Sequence, residues 1–273
     1  MPMFKWYIWV PLFILIIFAY MTIQAAVYTT KYRKLNLGAG IRLLHLSDIH
    51  INLLLVPSFC LKKTIAKAKP DYILISGDLI EKPENMEKFS AWYKKLGIEV
   101  PVFAVYGNHE HRCFRQNPSF REEFNSTMKE LGIKLLINET VFIRGKNTSG
   151  PKKIALLGID DIKTGTPVNN DIFTDLRNKC DIIISFSHNP DVSLYIPENS
   201  VDLLLAGHFH GGQIWMPFRL EYLFLRKDKL SKMGHIKDFV RIRGNLLYIS
   251  RGLGTVLIPF RFFSVPEVTV FDI

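Results

Sequence analysis

The stretch Arg42-Leu43-Leu44-His45-Leu46-Ser47-Asp48-Ile49-His50 sets the pattern from which the rest of the chain is read. Residues 43–46 make an apolar run of strand length. Asp48 and His50, two side chains able to bind a metal, follow at the point where a strand must turn. The same order recurs downstream. Asp78 follows the run 73–76, Asn108 and His109 follow 102–106, His188 follows 182–186, and His208 and His210 follow 203–206. In an open α/β sheet, ligands bind beyond the carboxyl ends of the strands, so five such loops bring their polar groups to one edge. A lone His or Asp at a strand end is more often a cap or a solvated turn. Core packing gives no reason for the whole series.

Outward from these blocks, the pattern predicts strands at 42–47, 72–76, 102–105, 154–158, 182–186 and 203–206. Helices are predicted at 58–69, 84–96 and 118–131, with Gly97 and Gly132 where helices stop. This alternation gives an α/β class built from βαβ units. From Gln213 onward, β-branched and aromatic residues predict antiparallel strands ending in 267–273. Residues 146–153, rich in Gly, Asn, Thr, Ser and Pro, look like the boundary between two halves. The length of 273 residues suits one catalytic domain, 41–273, preceded by an extension, 1–34.

That extension carries a membrane signal. Residues 6–27 contain no charge and are long enough as a helix to cross ~30 Å of hydrocarbon. Trp6, Tyr7 and Trp9 lie at one end and Tyr28 and Tyr32 at the other, where amphipathic rings favour the interface. A cleaved signal peptide is the rival reading, but Ile23 or Gln24 stands where a small residue is wanted before a cut near Ala25 and Ala26. Lys31, Arg33 and Lys34 after the span outnumber Lys5 before it, so the positive-inside rule puts a single-pass protein in the cytoplasmic membrane with its C-terminal domain in the cytoplasm. Cys60, Cys113 and Cys180 have no paired spacing, which suits a reducing compartment and argues against a zinc cluster.

Formal net charge is +10, and between positions 216 and 251 nine Lys or Arg stand against three Asp or Glu, so that segment holds most of the excess. Nucleic acid, anionic headgroups and phosphorylated substrates all suit a basic surface. Leu220, Tyr222, Leu223, Phe224 and Leu225, interleaved with Arg219, Arg226 and Lys227, suit a membrane surface. A β-hairpin with one solvated face is the alternative. The interleaved aromatics typical of nucleic-acid strand binding are not obvious outside this segment, so no nucleic-acid partner is expected.

Hydrolysis of a phosphate ester near neutral pH needs a strong nucleophile and neutralisation of the phosphoryl oxygens, and two divalent ions ~3.5–4 Å apart supply both. A bridging carboxylate with imidazoles and carboxamides suits Mn²⁺, Fe or Zn²⁺. Gly77, Gly107 and Gly207 each precede a proposed ligand, where a residue without Cβ permits a sharp turn. The five blocks, D-x-H at 48–50, G-D at 77–78, G-N-H-E at 107–110, His188, and G-H-x-H at 207–210, resemble the calcineurin-like metallophosphoesterase superfamily in order and spacing. They cover the chain from about Leu43 to Gln213. The resemblance implies a four-layer αββα sandwich and two divalent metal ions, Mn²⁺ foremost. It makes Asp48, His50, Asp78 and His210 ligands of the first ion, and Asp78, Asn108, His188 and His208 ligands of the second. It makes His109 a non-ligand general acid at the leaving group.

Leu79-Ile80-Glu81 lacks the arginine-bearing extension of the serine/threonine protein phosphatases, which sets that activity aside. Residues 211–213 and 250–254, with Pro259, Pro266 and Glu267, resemble a membrane-anchored bacterial branch. That branch holds YkuE- and YaeI-like phosphodiesterases and a chlamydial pyrophosphatase of UDP-2,3-diacylglucosamine. It implies a lipid-linked or nucleotide phosphate substrate at the membrane, with UMP released. A broad phosphodiesterase acting on cell-wall polymer or nucleotides, and a non-catalytic scaffold, are the other readings. Arg251 and Arg112 are candidate phosphate contacts, and Glu110 and His111 either line the cleft or lie at the surface. His45, inside a strand, is read as core. Phe209 shapes the pocket or packs.

Overall fold

Strands β2 (Arg42–Leu46), β3 (Tyr72–Ser76) and β4 (Val102–Val105) are apolar almost throughout instead of alternating with polar residues, the signature of strands covered on both faces. The computed structural model describes residues 6–147, 150–216 and 227–273 and shows that burial directly. Leu44, Leu46, Ile73, Ile75 and Ala104 point to one side, against helices α2 (Ser58–Ala68), α3 (Met86–Leu96) and α5 (Phe120–Glu130). Leu43, Leu74, Phe103 and Val105 point to the other and meet Leu156, Ile184 and Leu205 of a second sheet. The residues between these, Ala155, Ile183 and Leu204, pack on Phe173 and Leu176 of α6 (Asp171–Lys179). Three apolar layers between four layers of structure make the expected αββα sandwich.

The first sheet runs β1-β12-β2-β3-β4-β5, with β1 (Thr29–Lys34), β5 (Ile133–Leu135) and β12 (Glu267–Asp272). The second runs β10-β11-β9-β8-β7-β6, with β6 (Glu139–Arg144), β7 (Lys153–Ile159), β8 (Ile182–Ser187), β9 (Leu203–Ala206), β10 (Asp238–Ile242) and β11 (Asn245–Ile249). Strands β2 to β5 are parallel, as are β7, β8, β9 and β11, so each sheet presents one carboxyl edge. As predicted, β10 and β11 are antiparallel and the chain ends in a strand, but β12 returns to the first sheet.

Three expectations change. The chain crosses between the sheets at 136–138, whereas the described residues 146, 147 and 150–152 lie between the antiparallel strands β6 and β7. Lys146, Asn147, Gly150 and Pro151 are exposed there, which suits their polar and turn-forming character. The supposed basic flank is strand β1, paired along its length with β12 of the first sheet. Lys31 is bonded to Asp238 and Glu267, and Arg33 to Asp238, so these charges belong to the domain and are no longer a free count for orientation. Between Asn108 and Gln116 a helix, α4, stands where no element was expected. The segment 220–225 and its flanking Arg219 and Arg226 lie outside the described residues.

Helix α1 (Trp6–Ala26) is long and apolar enough to cross a membrane by length and composition. Its C-terminal end is docked on the domain, with Ala25 buried and Tyr28 bonded to Thr64 at 2.6 Å. The three cysteines are free.

Candidate dimetal centre

Each proposed ligand sits just past the carboxyl end of a strand, and five of them adopt a left-handed backbone: Asp48 (φ 50°), His50 (44°), Asp78 (54°), His208 (72°) and His210 (50°). This region is uncommon for residues with a Cβ and concentrates at functional sites. Here it swings the side chain off the strand axis and across the shared edge of the two sheets. The edges touch closely. A Cβ at Gly207 would collide with Ser47 and Asp48, and one at Gly107 with the Asp78 carboxylate and backbone. These glycines therefore allow close approach, a stronger reason than the sharp turn expected of them.

The ligands form three overlapping groups, Asp48–His50–His210, His50–Asp78–His109 and Asp78–His188–His208, with Asp78 common to the last two. Asp78 Oδ2 lies 3.4 Å from His50 Nε2 and 3.2 Å from His188 Nε2, and Asp48 Oδ1 lies 3.5 Å from His210 Nε2. His188 Nε2 is also 2.9 Å from Asn108 Oδ1 and 2.9 Å from His208 Nδ1.

His188 Nδ1 donates to the Ser76 carbonyl at 3.0 Å, which turns Nε2 toward Asp78, Asn108 and His208. His208 Nε2 faces the Asp228 carboxylate at 3.3 Å, which turns Nδ1 toward His188 Nε2. Two imidazole nitrogens, an amide oxygen and a carboxylate oxygen converge here; burial would lower the His188 imidazole, but the Asp78 carboxylate beside it raises it to about 10, so the proton held there is one that a metal ion would displace. Ligand atoms ~2.1 Å from one ion and at right angles lie ~3.0 Å apart, the spacing seen here. At the other end the buried His50 Nε2 has no hydrogen-bond partner and aims at Asp78, while its Nδ1 faces Glu81 at 3.2 Å. The residues fit two metal ions sharing Asp78. Burial alone would raise the Asp78 carboxyl, but the facing His188, His109 and His50 hold it well below the usual carboxylate range.

His109 is close but turned differently. Its backbone N–H donates to Asp78 Oδ1 at 2.9 Å, and its Nδ1 accepts from the Arg112 guanidinium at 2.6 Å. The proton therefore sits on Nε2, 3.9 Å from Asp78 Oδ2. Burial pushes the imidazole down to about 4, so it is neutral at pH 7.

The calcineurin-like phosphoesterase family matches residues 41–212. The chain belongs to that family. The uncharacterized metallophosphoesterase YkoQ of Bacillus subtilis is 30% identical over 244 residues, 88% of this chain and 84% of YkoQ. Phosphodiesterase YaeI of Escherichia coli is 28% identical over 245 residues, covering 86% and 83% of the two chains. The UDP-2,3-diacylglucosamine pyrophosphatase LpxG of Chlamydia muridarum is 24% identical over 276 residues, covering 85% and 83%. Family membership, with the metal-binding groups in place, makes this chain a metal-dependent phosphoesterase.

Not every expected contact gathers at the centre. Arg251 packs beside Gly211, next to His210, and its guanidinium is paired with Asp238 (3.7 Å) and Glu267 (3.4 Å). Glu110 is fully buried and lines no cleft. It accepts from the backbone N–H groups of Asp78, Leu79, Ile80 and Gly107, tying the Asp78 loop to the first turn of α4. His111 is buried against Asp160 at 2.6 Å. His45 is a core residue bonded to Ser76, pushed down to about 3 by burial. Phe209 is fully buried and packs.

Three residues outside the expected set support the ligands. Glu81 backs His50, Asp228 backs His208, and the buried Arg261 donates to the carbonyls of His210, Arg251, Gly252, Gly254 and Ser264. Arg261 carried one signal, a lone charge in the apolar run 256–263. Asp228 carried none, since it reads as one acid in a basic segment.

Proposed function

We propose that the chain is a dimetal hydrolase of a phosphodiester or pyrophosphate bond at the membrane, with UDP-2,3-diacylglucosamine as substrate and UMP as product. The observation that carries the hydrolase reading is the meeting of carboxylate, imidazole and amide ligand atoms from five loops around Asp78. Two divalent ions held by Asp48, His50, Asp78, Asn108, His188, His208 and His210, Mn²⁺ in this proposal, would activate water and neutralise the phosphoryl oxygens. Neutral His109 offers its Nε2–H to the leaving oxygen, and Arg112 keeps the proton on that nitrogen. Its low protonation point favours hydrogen-bond donation over full proton transfer, which narrows the acid role implied by resemblance. A non-catalytic scaffold has no need for such a cage.

The substrate choice is supported by LpxG, by the apolar helix α1 and by the basic character of residues 216–251. A nucleotide-activated lipid is made in the cytoplasm, which also favours a cytoplasm-facing domain. YaeI supports a second reading, a phosphodiesterase of broader range. Purified full-length protein with Mn²⁺ should release UMP from UDP-2,3-diacylglucosamine, and Asp78→Ala should lower the rate on the order of 10³-fold or more. Turnover of aryl phosphodiesters with none of any sugar-nucleotide lipid would leave the second reading. Absence of both, in protein carrying no metal, would remove the enzyme.

A further inference from the structure

Beside the cage, four large apolar side chains stand in the open: Leu257 is 90% exposed, Phe263 58%, Trp215 48% and Ile258 41%. They sit on two segments tied together and tied to the ligand loop. The Gln213 side chain, three residues after His210, donates to the carbonyls of Val256 and Ile258 and accepts from Val256 N–H. Trp215 N–H donates to the Phe262 carbonyl at 2.9 Å, and the Trp215 ring meets Phe263 edge-on. The one charge in this loop, Arg261, is turned inward and fully buried, so the outward face is apolar. Leu257 and Phe263 also hold left-handed backbones, φ 65° and 54°, a genuine outlier for bulky residues. The Gln213 bonds hold the backbone, but among the described residues these outward side chains gain little burial to offset the strain.

The loop is also packed against helix α1, and not at its end. Phe260 meets Phe18 with ring centroids 5.4 Å apart, Tyr20 meets Phe262 at 5.9 Å and Phe263 at 6.2 Å, and Arg261 N–H donates to the Met21 carbonyl. From Met21 and Phe18 to the helix end at Ala26 is about 8 and 12 Å of axis. Were the membrane to stop short of this contact, only residues 6–17 would remain to cross it, about 18 Å of helix against ~30 Å of hydrocarbon. Lys5 bounds the apolar run on the far side. Ile23 and Val27, nearer the domain than Phe18, are 61% and 55% exposed, so the apolar surface of the helix continues past the loop.

We propose that the loop 256–263, together with Trp215, is immersed in the bilayer leaflet nearest the domain. The edge of the site beside His210 then opens at the level of the lipid headgroups, and a phosphate carried on a lipid reaches it without leaving the membrane. The proposal rests on α1 as a membrane span and takes the lipid bilayer as the partner of this surface.

The test reads depth and no turnover, so it does not depend on the substrate. The full chain, with Cys60 and Cys180 replaced, is labelled with an environment-sensitive fluorophore at Leu257→Cys and reconstituted in phosphatidylethanolamine–phosphatidylglycerol vesicles. Phe263→Cys is a second reporter should one variant misfold. Leu12→Cys in α1 marks the span, and Glu122→Cys on α5 marks the aqueous side. The expected result is a blue-shifted label at 257 and 263, quenched by spin-labelled acyl chains and several-fold less by iodide than the label at 122. Iodide quenching at 257 and 263 equal to that at 122, with lipid quenching at 12, overturns immersion and leaves the span standing. Iodide quenching at 12 as well removes the span and immersion with it.

Discussion

The ligand loops and the apolar loop 256–263 both hold bulky residues in the left-handed region, yet they bury them differently. Asp48, His50, Asp78 and His210 are almost wholly buried, whereas Leu257 and Phe263 face outward. In the cage, the strain is held by hydrogen bonds inside the protein: Glu110 on the backbone of Asp78, His208 N–H on Asp48, Arg261 on the His210 carbonyl. Over the exposed stretch of the loop, Leu257 and Phe263 remain 90% and 58% exposed among the described residues. In the cage the compensating partners are internal; under the immersion proposal those of the loop would be external.

The largest break in this comparison is expected from Glu110→Ala. It leaves four buried N–H groups unpaired, and at ~1–3 kcal/mol each even partial relaxation should cost about 4 kcal/mol, read by chemical denaturation. A loss within about 0.5 kcal/mol would mean that the Asp78 loop holds itself.

Asp228→Ala should act on half of the centre. It removes the carboxylate behind His208, so one of two metal equivalents should bind about 10–100-fold more weakly while the other is unchanged, as read by equilibrium metal titration. Equal weakening of both would show that the two half-sites are not separable.

Asp160→Asn tests the frame under α4. The bonds from His111, Thr166 and Asp161 outweigh burial and hold the Asp160 carboxyl below its ordinary range. A depressed carboxyl stabilises the fold above its unfolded value and loses that contribution as pH falls through the folded value. The variant should lose about 2 kcal/mol at pH 7. Its gap to the parent should narrow below about pH 4, followed by thermal unfolding across pH.

The smallest effect is expected from Leu257→Asn in detergent. Asn tolerates the left-handed region, so stability should rise by about 0.5–1 kcal/mol because the exposed leucine contributes no burial within the chain. A loss of that size would place Leu257 in a contact inside the protein.

The same contrast explains what the sequence made legible. Every ligand stood out because a polar residue directly after a buried strand interrupts an apolar run, and two parallel sheets sharing one edge bring all such interruptions together. Strand β1 was hidden because Thr29–Lys34 is an edge strand whose basic residues answer Asp238 and Glu267, acids more than two hundred positions away. Helix α4 was hidden because its first turn is occupied by ligand-loop chemistry, and Glu110 bonds the Asp78 loop while also capping its own helix. The supporting groups Asp228 and Arg261 act through tertiary contacts that no local period reports. The crossing at 136–138 lacks the glycine and proline that drew attention to 146–153.

The central claim is the shared carboxylate, and anomalous diffraction from crystals of Mn²⁺-loaded protein tests it most directly. Two peaks ~3.5–4 Å apart are predicted, both touching Asp78, one completed by Asp48, His50 and His210 and the other by Asn108, His188 and His208. A single peak, or two that do not share Asp78, would contradict the account.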